Sequence, residues 1–289
     1  MKKKILIVLI IVCIAMLSAF AMIACDTDEN TVEMDGFKFK LLRDGTYKVA
    51  KYKGDATEVI IPSTCDGIKV TGIGDFAFGE RWKITSITLP DEITSIGFGA
   101  FSNCRELTSI NIPEGITSIE TNTFNCCYAL TSINIPDGVT SIGESAFESC
   151  YELTKINIPN GVTDIGKKAF YECHSLYDIT IPNSVSTIGE SAFKGCYNLK
   201  NVTIGNKVIM SIKDNAFSDC SSLTGIVIPI GVMSIGKDVF NNCDSLGLIC
   251  CGTYAKPSGW DDKWNGNCSA SIFWGYNVDW GNNVNSKKI

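Results

Sequence analysis

Histidine is almost missing from this chain: His174 is the only one in 289 residues. One imidazole leaves room for at most one histidine-dependent catalytic site and argues against a multi-histidine metal centre. Basic residues are outnumbered, 25 Lys and Arg against 31 Asp and Glu, for a net charge of −6. Without a basic surplus there is little to neutralise a phosphate backbone, so nucleic acid is not an expected partner. The fourteen cysteines include no Cys-x-x-Cys pair, which removes the usual zinc and redox spacings. No Gly-x-Ser-x-Gly elbow presents a serine nucleophile either. What is present is apolar: 45% of residues are hydrophobic and 19% charged, enough for a sizeable core and too little charge for a disordered chain.

The only long uncharged run lies at the N-terminus. Lys2, Lys3 and Lys4 precede Ile5–Ala24, which carries no charge. A positive cluster before an apolar stretch is the architecture of an export signal. Met22-Ile23-Ala24-Cys25 resembles the lipobox of bacterial lipoproteins, with Met22 where leucine is usual. That likeness implies a signal over residues 1–24 and lipid on Cys25. Cleavage after Ala21 and retention as an anchor helix are the alternatives. All three place the rest of the chain outside the cytoplasm, membrane-anchored at the cell surface in the lipidated case. Residues 26–36 are polar and acidic and read as a tether.

The body of the chain repeats itself. Leu107, Leu130, Leu153, Leu176, Leu199, Leu223 and Leu246 follow one another at 23 residues, with one step of 24. Phe78, Phe101, Phe124, Phe147, Phe170, Phe193, Phe217 and Phe240 keep the same beat, and prolines from Pro90 to Pro229 keep it too. A fixed period of this length marks a solenoid. Within a unit, Ser132-Ile133-Asn134-Ile135 alternates polar and apolar residues, as a half-buried strand does. Pro136-Asp137-Gly138 ends it. Val139–Ile142 is a second extended run. Glu144–Cys150 suggests one helical or 3-10 turn with Ala146, Phe147 and Cys150 facing inward. One coil cannot bury its own apolar face, so stacked coils must build a common core. Eight coils at ~4.8 Å give a solenoid about 40 Å long.

The pattern Leu-x-x-Ile-x-Ile-Pro-x-x-Val-x-x-Ile-Gly-x-x-Ala-Phe-x-x-Cys resembles the BspA-like class of leucine-rich repeat from about Phe37 to Trp280. The resemblance implies a mainly-β solenoid of right-handed parallel coils with short helical or 3-10 turns. It also implies an exported, non-enzymatic bacterial surface protein that needs no cofactor and adheres to a protein on a host or neighbouring cell. Residues 37–61 look like an N-terminal cap hairpin, 62–250 like the solenoid and 251–289 like a C-terminal aromatic cap. The first coil carries five extra residues between Pro62 and Phe78.

Several residues invite a functional reading. Cys104, Cys127, Cys150, Cys173, Cys196, Cys220 and Cys243 each fall three residues after a repeat Phe, where a small buried hydrophobe is expected. Cys126, next to Cys127, is expected to turn outward. Cys251 and Cys268 fall off the beat and form a candidate disulfide, with Cys250 as the other possible partner. His174 follows the ladder Cys173 at an exposed turn position. The outward strand residues form a polar stripe that either only solubilises the protein or contacts a partner. The contact reading centres on Lys155, Asn157, Asp178 and Thr180, flanked by Ser132 and Asn134, because only there do opposite charges interrupt the run of Ser, Thr and Asn. The C-terminal aromatics Trp260, Trp264, Phe273, Trp274, Tyr276 and Trp280 either cover the last coil or offer a platform for a sugar or peptide.

Overall fold

Each coil lays down two short extended runs whose alternate residues are apolar, and burying those residues fixes the architecture. A computed structural model describes residues 30–205 and 210–276. Residues 1–24, expected to be an export signal, and Cys25 and Trp280 lie outside these residues. In chain order the first strands are β1 (Thr31–Met34), β2 (Phe37–Leu41), β3 (Tyr47–Tyr52), β4 (Glu58–Ile60), β5 (Thr64–Cys65) and β6 (Ile68–Ile73). Each later coil then contributes a pair: β7 (Ser86–Thr88) and β8 (Ser95–Ile96), β9 (Ser109–Ile110) and β10 (Ser118–Ile119), β11 (Ser132–Ile133) and β12 (Ser141–Ile142). The pairs continue as β13 (Lys155–Ile156) and β14 (Asp164–Ile165), β15 (Asp178–Ile181) and β16 (Thr187–Ile188), β17 (Asn201–Ile204) and β18 (Met210–Ile212), β19 (Gly225–Ile228) and β20 (Val232–Ile235). The chain closes with β21 (Leu248–Cys251) and β22 (Ser271–Trp274).

The strands of successive coils stack into two parallel ladders. The first runs as β4-β7-β9, then β11-β13, then β15-β17-β19-β21-β22; the second runs β10-β12-β14-β16-β18-β20, with β3-β6-β8 ahead of it. Registers repeat the period, as in Ser132↔Lys155 and Ile142↔Ile165. The inward residues of one coil, Leu130, Ile133, Ile135, Val139, Ile142, Ala146, Phe147 and Cys150, are all buried, and their equivalents in neighbouring coils join them in one core.

The expected helical turn is not there: no helix forms in the coils among the described residues. The reason lies in alternate hydrogen bonding. The N–H groups of Ser145, Phe147 and Ser149 donate to Lys167, Ala169 and Tyr171 of the next coil at 2.8, 2.8 and 2.7 Å. Those of Ala146, Glu148 and Cys150 donate three residues back within their own coil, at 3.4, 3.2 and 3.2 Å. Ser145 and Ser149 take left-handed φ values of 53° and 61°, which turn every second N–H out of the coil. A helix would keep all of these donors for its own carbonyls. The turn corner is therefore a third inter-coil ladder.

One correction concerns the N-terminal end. Within residues 26–36, expected to be a tether, Thr31–Met34 instead form β1, antiparallel to β2. Val32 and Met34 pack against the core while Thr31 and Glu33 alternate with them, a pattern too short and too mixed with acid to stand out in sequence. Asp35 and Gly36, with φ of 50° and 81°, supply the two left-handed residues of a tight hairpin. The five extra residues of the first coil form a second such hairpin, β5 to β6, turning on Asp66 and Gly67.

Aromatic rings cap both ends. Tyr52 stacks on Phe78 at 5.4 Å and Phe37 meets its edge at 6.4 Å. At the other end Trp264 stands edge-on to Phe240 at 6.0 Å, and the Trp260 indole N–H donates to the Val232 carbonyl at 3.1 Å.

Candidate functional site

The six strand-face residues sit where alternation puts them. Ser132, Asn134, Lys155, Asn157, Asp178 and Thr180 are all exposed, with Ile133, Ile135, Ile156, Ile158, Ile179 and Ile181 buried between them. Lys155 and Asp178 occupy the same position in successive coils, at a break between the β11-β13 and β15-β17 segments of the first ladder. Both side chains are exposed, and among the described residues no ion pair joins them. Asn134 and Asn157 likewise leave their amides open to solvent. Asn111, one coil earlier on the same stripe, does not: its amide accepts from the Leu89 N–H and donates to the Leu89 carbonyl, both at 2.8 Å. So the stripe is part scaffold and part free surface, and the free part includes the expected centre.

The cysteine column has a role that packing alone does not explain. Each ladder thiol donates to the carbonyl of the repeat Phe one coil back: Cys127 to Phe101, Cys150 to Phe124, Cys173 to Phe147 and onward, at 3.1–3.3 Å. The same Phe carbonyl already accepts the N–H three residues on, so the thiol fills its second lone pair. Only a protonated thiol can do this. Burial pushes Cys104 and Cys243 up to about 12, and Cys127, Cys150, Cys173 and Cys220 well above the ordinary thiol range. These are poor nucleophiles and poor metal ligands.

The expected Cys251–Cys268 bridge does not form; both are free thiols. Cys251 is fully buried in β21, opposite Trp274 of β22. Cys268 is held elsewhere, because its neighbour Asn267 exchanges hydrogen bonds with Asn242 beside Cys243. Cys250 is also free. The aromatic-platform reading of Trp260 also fails, since Trp260 is 3% exposed and Trp264 equally so. They close the core, and among the described residues of that cluster only Phe273 and Trp274 show substantial surface, at 48% and 36%.

One arrangement escaped residue-by-residue reading. Tyr128, Tyr151, His174 and Tyr197 stack in a column at 4.8, 4.6 and 4.8 Å between ring centroids. The Arg105 guanidinium lies over Tyr128 at 5.5 Å. The 23-residue spacing of these residues is visible in the sequence, but each alone has the character of a variable turn position. Cys126 is half-exposed and reaches the Tyr128 hydroxyl, a contact that raises the Tyr128 pKa. No group of three or more His, Cys, Asp and Glu among the described residues is placed to hold a metal.

A family model described as BspA type leucine rich repeat region matches six copies over residues 71–176 and 140–253. The chain belongs to that family of repeat solenoids. Among solved structures, a leucine-rich repeat protein of T. pallidum is similar, 27% identical with a TM-score of 0.61, covering 74% of this chain and 90% of that one. A leucine-rich cell surface protein of Faecalibacterium prausnitzii is 22% identical over 88% of this chain and 97% of its own, with a TM-score of 0.49. A leucine-rich repeat protein of Bacteroides ovatus is 24% identical over 80% and 89%, with a TM-score of 0.44. No curated protein matches the chain.

Proposed function

We propose that this protein is an exported, non-enzymatic repeat scaffold that binds a protein on a host or neighbouring cell through its first strand face, tethered to the membrane by lipid on Cys25. The observation that carries the reading is the unpaired Lys155 and Asp178 on successive rungs of an otherwise small and polar stripe. Their neighbours Asn157, Thr180, Ser132 and Asn134 are exposed beside them. Every apolar side chain behind the stripe is taken up by core packing, so this surface tolerates change without cost to the fold. Free charges on a rigid face set the orientation and on-rate of a partner. The T. pallidum relative supports the scaffold itself.

The test has two parts. Proximity labelling on intact cells identifies candidate partners, and each is then titrated against wild type and the double variant Lys155→Glu with Asp178→Lys. The swap is expected to slow association and alter its salt dependence while the melting temperature stays put, since exposed substitutions shift stability by within ~0.5 kcal/mol. Binding identical to wild type at all salt concentrations would remove the strand face from consideration. Intact mass of membrane-extracted protein reads the anchor: a chain beginning at diacylated Cys25 is expected, and one retaining Lys2–Lys4 contradicts it.

A further inference from the structure

The outer aromatic column has a missing rung. Its members are fixed in register by one hydrogen bond per coil, from the N–H of the residue that follows each rung to the carbonyl of the rung before. Glu106 donates to Trp82, Ala129 to Arg105, Glu152 to Tyr128, Ser175 to Tyr151, Asn198 to His174, Ser222 to Tyr197 and Ser245 to Ser221, at 3.0–3.2 Å. The column therefore continues unbroken from Trp82 to Ser221 and then to Asp244. From Tyr128 to Tyr197 every rung is a ring, and Arg105 lies over the first of them. At the next rung Ser221 provides only a hydroxymethyl group, and at the rung after that stands the Asp244 carboxylate.

This leaves a slot with distinct walls. One wall is the face of Tyr197, which is 46% exposed because no ring follows it. The other is Asp244, exposed and without a hydrogen bond or ion pair among the described residues. Two rungs at the inter-strand spacing put these walls about 10 Å apart, with the small Ser221 as the floor. The space takes one planar group. A ring would stack on Tyr197 but leave the carboxylate unanswered; a planar cation answers both. The column already contains that solution at its other end, where Arg105 occupies a rung of its own and lays its guanidinium over Tyr128. Arg105 also shares a surface hollow with Trp82, the rung before it.

We infer that the Ser221 rung is a binding slot for the guanidinium of an arginine side chain presented by a protein partner, stacked on Tyr197 and paired with Asp244. A guanidinium is flat, always charged and weakly hydrated, so it can stack and bind a carboxylate at once; an ammonium cannot stack in this way. The slot lies at the turn corner, separate from the strand face around Lys155, and stands whether or not that face binds.

The experiment follows the Tyr197 ring resonances of the full protein, carbon-labelled at tyrosine and assigned with Tyr197→Phe, during titration with N-acetyl-arginine amide, the matching lysine compound and free arginine. A saturable shift confined to Tyr197 and its neighbours is expected for blocked arginine, with affinity at least threefold higher than for blocked lysine. Asp244→Asn and Tyr197→Leu should each weaken binding at least threefold, and Ser221→Tyr, which fills the rung, should abolish it. Melting curves check that all three variants are folded, so that loss of binding reads the slot and not the coil. Three results would overturn the inference: no saturable shift, undiminished binding to Ser221→Tyr, or equal affinity for lysine. A response to free arginine alone would make this an amino-acid site and reject the partner side chain.

Discussion

Two aromatic columns climb this solenoid at nearly the same pitch, one inside and one outside. The inner rings, Phe78 to Phe240, stack at 5.1–5.9 Å and are fully buried. The outer rings, Tyr128 to Tyr197, stack at 4.6–4.8 Å with their edges in solvent. Stacking geometry is thus set by the coil repeat and not by the environment. What differs is the penalty for a break. A missing inner ring opens a cavity in close-packed core, whereas a missing outer ring exposes a neighbour to water. That explains why the inner column is phenylalanine at every rung while the outer one admits Arg105, His174, Ser221 and Asp244. Variation gathers where it is cheap, and those positions are the ones free to acquire specificity.

The largest way to break the comparison is alkali. The inner column is lined by thiols whose folded pKa is raised by burial, to about 12 for Cys104 and Cys243. Below pH ~9 each thiol is protonated in both states and pH has no effect. Above it the unfolded chain releases protons that the folded chain holds, so stability falls as pH rises from ~9 towards the folded pKa. The slope is about 1.4 kcal/mol per thiol per pH unit, shared by every buried rung. Urea midpoints measured under reducing conditions are expected to be flat near neutrality and to drop steeply above pH ~9. A midpoint that holds through this range would mean the thiols ionise in place and the Sγ–H donors are not needed. The outer column lacks buried thiols and should add to that slope only through Tyr128, whose hydroxyl is raised by its contact with Cys126, and only above pH ~10.

Matched deletions sharpen the same contrast. Phe147→Ala removes an inner ring and should cost ~3–5 kcal/mol, read as a fall in melting temperature. Tyr151→Ala removes an outer ring of the same coil and should cost ~0.5–1.5 kcal/mol, the worth of an aromatic pair. Because each coil touches only its neighbours, the inner deletion should raise amide exchange first in adjacent coils. Equal losses from the two variants would show that the outer stack holds the coils as firmly as the core does.

Much of this fold is legible in the sequence, and the illegible parts share a cause. The period, the Phe and Leu ladders and the inward set of each strand follow from spacing, because burial at a 23-residue beat selects residue type at each inward position. The strand-face residues Lys155, Asn157, Asp178 and Thr180 follow from alternation alone. The turn corner does not. Ala146, Phe147 and Cys150 satisfy an inward helical face and an inward turn equally well, and the decision rests on left-handed backbone at Ser145 and Ser149, residues that carry no such signature. Val32 and Met34 are too few to announce a strand without the hairpin turn at Asp35 and Gly36. The outer column needed comparison of one position across coils, where Arg, Tyr and His look unrelated until the rungs are superposed. The placement of Cys268 near Cys243 depends on how the cap folds back, which no spacing encodes.

The smallest expected effect tests the device that holds both columns at their pitch. Left-handed residues two before and two after each repeat Phe send alternate N–H groups to the next coil. Ser145 is one of them, at φ 53°, and Gly99 holds the same place two coils earlier at φ 56°. An L-residue in this conformation is strained by ~1–2 kcal/mol, and glycine is not. Glycine instead loses more backbone freedom on folding, a cost of ~0.5–1 kcal/mol against alanine in ordinary backbone. Ser145→Gly and Ser145→Ala delete the same hydroxyl, so their difference isolates the backbone. In a helical turn the alanine variant would be the more stable. Here the glycine variant should be the more stable by up to about 1 kcal/mol, a reversal of sign. Urea midpoints of the two variants decide it. Alanine above glycine would return the corner to helical geometry and remove the inter-coil ladder on which the regular stacking of both columns depends.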